Sequence, residues 1–163
     1  PVRADAAVAR KPGAVCAVMT ADCLPVLFCD EWGETVAAAH AGWRGLAAGV
    51  LEATLAAMAT PPERIMAWLG PAIGPAAFEV GDEVREAFLA RDPGAQTAFA
   101  AQQARGKWFA DLFALARRRL ARARVGRVYG GGICTFTEIE RFYSYRREGA
   151  TGRFASLVWL EEF

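Results

Sequence analysis

The sequence predicts an α+β domain, and three observations carry that reading. Short apolar runs rich in Val, Phe and Cys stand at 14–19 and 25–29, each too short for a free-standing helix, and a further short apolar run stands at 65–69. Two longer runs, 46–59 and 111–124, have amphipathic spacing. Strands and helices do not alternate in the regular βαβ manner of a doubly wound parallel sheet.

AVCAVM (14–19) and PVLFC (25–29) read as buried strands. The DEWG turn at 30–33 leads into TVAAAH (35–40), which fits the second arm of a hairpin and ends on His40. After GWRG (42–45), the run 46–59 places Leu51, Leu55 and Met58 on one face with Val50 alongside, and Pro61-Pro62 closes it, so a single amphipathic helix is expected. IMAWL (65–69) reads as a strand feeding GPAIGP, whose two glycines and two prolines predict irregular backbone. Residues 82–90 look helical and 91–106 look like an exposed connection. Residues 111–124 form a second long helix with Leu112, Leu115 and Leu120 inward and its arginines toward water. Further strands are expected at 125–129, 143–145 and 155–160, with Gly130 to Gly132 as a joint and a hairpin turn at 149–152.

With 163 residues, 54% of them hydrophobic, the chain has material for one domain core spanning 1–163. Nineteen Lys and Arg against 18 Asp and Glu give a formal charge of only +1, which argues against nucleic acid or an anionic membrane as partner. Asp22, His40 and Arg44 interrupt the longest apolar stretches, so no membrane-spanning helix is expected. No apolar signal segment is visible, and a cytoplasmic location is the expectation. Cys16, Cys23, Cys29 and Cys134 lie in strand-like sequence rather than at loop spacings, and are read as thiols. The absence of GxGxxG and P-loop patterns excludes a nucleotide cofactor held by those devices.

The single histidine rules out a two-histidine metal or proton-relay scheme built from this chain alone. His40 follows Cys23 by 17 residues, and a hairpin between them would bring thiol and imidazole together. Such a pair has two uses: as ligands of zinc, which takes thiolate and imidazole and keeps an open position when catalytic, or as a histidine-activated thiol nucleophile with Asp22 orienting the ring. A core cysteine and a satisfied buried ring would fit the same residues. The second constellation is FYSYRREGATGR, in which Arg146, Arg147 and Arg153 surround Tyr143, Ser144 and Tyr145. Arginine forks match phosphate or carboxylate and tyrosine offers a stacking face, while an edge strand of alternating aromatic and charged residues would look alike. Arg44 could reach the same cleft with an anion-binding guanidinium, and Glu79 could serve as an acid or base, although a surface position is the commoner fate of each.

TADCLPVLFCD, AAHAGWRGLAAGVLEATL, GPAIGPAAFEVGDEV, KWFADL, ICTF and FYSYRREGATGR, in this order, resemble the YfiH laccase-domain family, also described as multicopper polyphenol oxidase-like or peptidoglycan editing factor proteins. The likeness runs from RADA at 3–6 to the C-terminus. The resemblance implies a four-layer α/β/β/α sandwich with mixed sheets, of the cysteine-hydrolase type shared distantly with deamidase toxins. It also implies a zinc site of His, Cys and His, with the cysteine at Cys23, the second histidine at His40, and the first upstream of the matching segment. It implies purine nucleoside phosphorylase activity, with adenosine deaminase and methylthioadenosine phosphorylase activity on the same site. Purine nucleoside and phosphate would be the small-molecule partners, and Arg44, Tyr145, Arg146 and Arg147 the candidate substrate contacts. Copper is the weaker cofactor reading, because Ala72, Ala76 and Ala77 stand where the family often carries cysteines. The alternatives are a cysteine-type hydrolase or amidase editing peptidoglycan precursors, and a catalytically silent domain.

Overall fold

The computed structural model describes residues 4–162, which leaves Arg3 of the RADA motif outside the described residues. Ten strands and five helices follow one another as Ala6–Ala9 (β1), Val15–Thr20 (β2), Leu24–Asp30 (β3), Val36–Ala41 (β4), Trp43–Ala48 (α1), Val50–Met58 (α2), Ile65–Leu69 (β5), Glu79–Gly81 (β6), Asp82–Leu89 (α3), Phe99–Ala101 (β7), Lys107–Ala110 (β8), Leu112–Arg122 (α4), Arg127–Gly130 (β9), Tyr145–Glu148 (α5) and Phe154–Trp159 (β10). They make a five-stranded sheet of order β1-β4-β3-β5-β9, a two-stranded ribbon β10-β2 and a small sheet β6-β8-β7. The α+β class is therefore observed, with mixed strands: β9 runs parallel to β5 and the other pairs are antiparallel.

The pleat of the large sheet separates two cores. Leu24, Val26 and Phe28, with Ala37, Ala39 and Ala41 and with Ile65, Ala67 and Leu69, face Leu51, Leu55 and Met58 of α2 and Leu112, Leu115 and Leu120 of α4. Burying a side chain such as Phe28, 1% exposed, contributes about 1.5–3 kcal/mol. The alternate residues Val36, Ala38, Leu27 and Cys29 meet Cys16, Val18 and Val158 of the ribbon. Ala38 is the alanine of β4 that faces the ribbon.

The result is three layers among the described residues: helices, large sheet, ribbon. The second helical layer of the expected four-layer sandwich is not among them. The outer face of the ribbon instead presents the cross-strand pairs Val15 with Trp159, Ala17 with Leu157 and Met19 with Ala155. Its large side chains, Val15, Met19, Leu157 and Trp159, are all exposed. Among the described residues no helix is long and apolar enough to cross a membrane.

Several local readings are corrected. The run 46–59 is two helices, because Gly49 sits at φ 102° and ends α1 while starting α2, a backbone conformation other residues rarely adopt. The exposed connection at 91–106 holds a 3-10 turn, Pro93–Ala98, with Asp92 accepting from the Gly94 N–H, and then β7, with Ala95, Ala98 and Phe99 buried. The strand expected at 143–145 is the entry to α5: Ser144 accepts a hydrogen bond from the Arg147 N–H and caps the helix, so aromatic alternation misled where a cap residue decided. The last strand before it spans 127–130 rather than 125–129. The arginines of α4 do not all face water. Arg119 is largely buried and donates to Glu52 Oε1 and the Ala47 carbonyl at 2.9 Å each, tying α4 to α1 and α2. Arg118 and Arg122 both pair with Asp92. All four cysteines are free thiols.

Candidate functional site

The β3–β4 register sets Pro25 opposite His40 and Leu24 opposite Ala41, so the next rung brings Cys23 to Gly42. A Cβ built on Gly42 would stand 2.9 Å from Cys23 Sγ and 3.4 Å from His40 Cε1. The sulfur and the ring are therefore no further apart than those two lengths combined, and glycine is what leaves room for both. His40 shares the pleat face of Val36 and Ala38, so both groups sit at one end of the gap between sheet and ribbon.

β1 holds the imidazole from the other side. The His40 backbone N–H donates to the Asp5 backbone carbonyl at 2.7 Å, and the ring's Nδ1 lies 3.6 Å from Asp5 Oδ1. That separation is too long for a hydrogen bond. Burial pushes the Cys23 thiol up; the nearby charges of Asp22 and Asp5 add to this and Arg153 opposes it.

Cys23 and His40 open on a cavity of about 340 Å³. Trp43, Phe78, Ile73 and Tyr145 provide apolar and aromatic wall, and Arg146 and Arg153 provide charge. Arg146 Nη1 donates to the Glu79 carbonyl at 2.8 Å and its guanidinium lies 5.4 Å from the Phe78 ring centroid. Arg153 Nη1 donates to the carbonyls of Thr151 and Gly152 at 3.0 and 2.8 Å. Each guanidinium carries five N–H donors, so both keep donors for an anion. Thr20 also lines the cavity, and its buried hydroxyl has no hydrogen-bond partner among the described residues.

Two expected site residues are placed elsewhere, and a third, Asp22, lines the cavity with its carboxylate bonded to other partners. Asp22 does not orient the ring: its carboxylate accepts from Thr135 Oγ1 at 2.6 Å, Ser144 Oγ at 3.0 Å and the Arg146 N–H at 2.7 Å. Arg44 is exposed and stacks on Trp43 at 4.5 Å from the ring centroid, outside the cavity wall, because it starts the helix on the solvent side. Arg147 turns away from the cavity and donates to the carbonyls of Thr135, Phe136 and Phe142 at 2.8 Å each, so its fork staples loops. Glu79 contributes its carbonyl, not its exposed carboxylate.

Asp5, Thr20, Trp43, Ile73 and Phe78 were not singled out as site residues from the sequence. Only the pairing of β1 with β4, Ala6 opposite Ala39, brings Asp5 to His40, and β1 itself is a four-residue strand of weak apolar signal. A second cavity of about 340 Å³ lies beside α4, but its Arg119 and Arg122 are neutralised by Glu52 and Asp92 and it holds no nucleophile.

Thiolate and imidazole are ligand types that zinc accepts, and a catalytic zinc uses three protein ligands. Among the described residues no group of three or more His, Cys, Asp or Glu is placed to hold an ion. Cys23 and His40 thus fit zinc in kind and fall one ligand short in number.

Residues 1–161 match the family model described as "Multi-copper polyphenol oxidoreductase laccase". The chain is 58% identical over 161 residues to a protein of Pseudomonas aeruginosa named a purine nucleoside phosphorylase, covering 99% of this chain and 66% of that protein. It is 62% identical over 158 residues to the purine nucleoside phosphorylase YfiH of Escherichia coli K12, covering 97% and 64%. The crystal structure of a Neisseria meningitidis protein superposes with a TM-score of 0.95 at 60% identity, over 98% of this chain and 65% of that one. The Bacillus licheniformis YfiH structure superposes with a TM-score of 0.86 at 31% identity, over 96% and 61%. The chain therefore spans about two thirds of the length of the curated relatives it matches.

Proposed function

The chain belongs to the multi-copper polyphenol oxidoreductase laccase family, and from that premise we propose that it works as a zinc-dependent purine nucleoside phosphorylase, with adenosine deaminase and methylthioadenosine phosphorylase activity on the same site. The observation that carries the proposal is one cavity uniting Cys23 and His40 with two arginines and an aromatic wall. Relatives with 58% and 62% identity bear the phosphorylase name, and phosphorolysis is not a redox reaction, which favours zinc over copper.

Cys23 and His40 would hold the ion, with a third ligand that the described residues do not supply. When bound, zinc supplies Lewis acidity and a water of lowered pKa. The rest falls to this chain's side chains. Tyr145 and Trp43 offer faces for the purine, and Phe78 backs Arg146. Arg146 and Arg153 hold phosphate by charge-assisted hydrogen bonds, so that one of its oxygens can bond to the ribose anomeric carbon as the glycosidic C–N bond breaks and the purine leaves with a proton.

The thiol-hydrolase alternative asks for a Cys23 thiolate without metal, and burial acts against that state. The test is to incubate the zinc-loaded protein with phosphate and inosine and to follow free hypoxanthine. Release that is abolished by Cys23→Ala and by chelation is the expected result. Activity that survives chelation and dies on alkylation of Cys23 would replace the phosphorylase reading with the hydrolase one, and an inert zinc-loaded protein would end it.

A further inference from the structure

Asp22 is the residue next to the proposed metal ligand, yet it spends every acceptor on distant loops. Its backbone carbonyl accepts from the Ile73 N–H at 2.9 Å, holding the GPAIGP loop. One carboxylate oxygen accepts from Thr135, and the other from Ser144 and from the backbone N–H of Arg146. Thr135 and Ser144 are fully buried and Asp22 is 8% exposed, so the two hydroxyl bonds are shielded from water. The residue sits at φ 90°, a conformation aspartate tolerates better than most, and the neighbouring Cys23 faces His40.

We infer that Asp22 is a positioning residue that locks the substrate wall, Ile73 on one loop and Tyr145 and Arg146 on another, to the backbone carrying Cys23. The inference rests on the reading of this cavity as a nucleoside phosphorylase site. It assigns Asp22 neither proton transfer nor metal ligation. Its consequence is selective: loss of the carboxylate frees the Tyr145–Arg146 turn and weakens phosphate and nucleoside binding, while Cys23 and His40, fixed by the β3–β4 register, keep their ion. Asparagine preserves the shape but replaces the charge-assisted bonds to Thr135, Ser144 and the Arg146 N–H with weaker neutral ones, and turns one of the two acceptor oxygens into a donor.

The test compares Asp22→Asn, Ser144→Ala and Thr135→Val with wild type in the complete, zinc-loaded protein. Zinc content, steady-state kinetics with inosine and phosphate, and tryptic cleavage after Arg146 and Arg147 followed by mass spectrometry are measured together. For Asp22→Asn the expectation is wild-type zinc content, a KM for phosphate raised on the order of tenfold with kcat falling no more than about threefold, and cleavage at the turn at least tenfold faster. Ser144→Ala and Thr135→Val should show smaller shifts in the same direction and carry the test if Asp22→Asn does not fold. Zinc loss with an unchanged KM, or a loss confined to kcat, overturns the inference, as does unchanged cleavage at the turn. An inactive wild type defeats the phosphorylase reading alone, because the cleavage rates still decide whether Asp22 holds the turn.

Discussion

Gly42→Ala is the sharpest perturbation of the Cys23–His40 pair, because its backbone, φ −61° and ψ 158°, accepts any L residue and alanine therefore changes only the space. The new Cβ would lie 2.9 Å from Cys23 Sγ, where ordinary contact begins at 3.4 Å, so the sulfur must retreat by at least about half an ångström. The His40 ring stands against the same methyl at 3.4 Å and cannot follow, so relief comes from turning the thiol away from the imidazole. Metal sites tolerate about 0.2 Å of ligand displacement, and overpacking costs about 1–3 kcal/mol. Zinc affinity should therefore fall at least tenfold, measured by competition with a chromophoric chelator, and the metal-free Tm should drop by several degrees. Gly126→Ala, where an added Cβ meets nothing within 4 Å, is the control and should leave both unchanged. A Gly42→Ala protein that binds zinc as tightly as wild type would show that the two side chains do not share an ion.

Arg146→Ala should raise the KM for phosphate with little loss of stability, whereas Arg147→Ala, which removes a fork bonded to three carbonyls, should lower unfolding free energy by about 1–3 kcal/mol in a denaturant titration. Arg119→Ala should cost a similar amount by separating α4 from Glu52 and Ala47, again read from chemical denaturation. Arg118 and Arg122 hold the Asp92 carboxyl well below its ordinary value of 3.8, so the stability it contributes is complete above that value and is lost as the pH falls further; Asp92→Asn should flatten the acid limb of a Tm-against-pH curve below about pH 4. Leu157→Lys on the bare face of the ribbon should change stability by no more than about 0.5 kcal/mol, and a larger loss would reveal that something covers that face.

Much of this molecule is local and was legible in the chain. The β3–β4 hairpin follows from two apolar runs around DEWG, and its pairing alone carries Cys23 to His40. The α2 and α4 faces follow from leucine spacing, and α4 begins one residue inside the expected run because Asp111 caps it, accepting from the Ala114 N–H. Signals that depend on short range or on a single residue type failed where a cap or a glycine intervened, as at Ser144 and Gly49.

Sequence by itself determined the α+β class, the hairpin and the thiol–imidazole pair, because strand alternation, turn chemistry and helix spacing act between residues a few positions apart. Only the tertiary structure decided which arginines reach the cavity and what Asp22 does. The partners of the Asp22 carboxylate lie 113 to 124 residues away, and Arg44, Arg146 and Arg147 are alike as side chains. A guanidinium bonds carbonyl, carboxylate or phosphate with the same fork, so its role is set by which acceptor the folded chain brings within 3 Å.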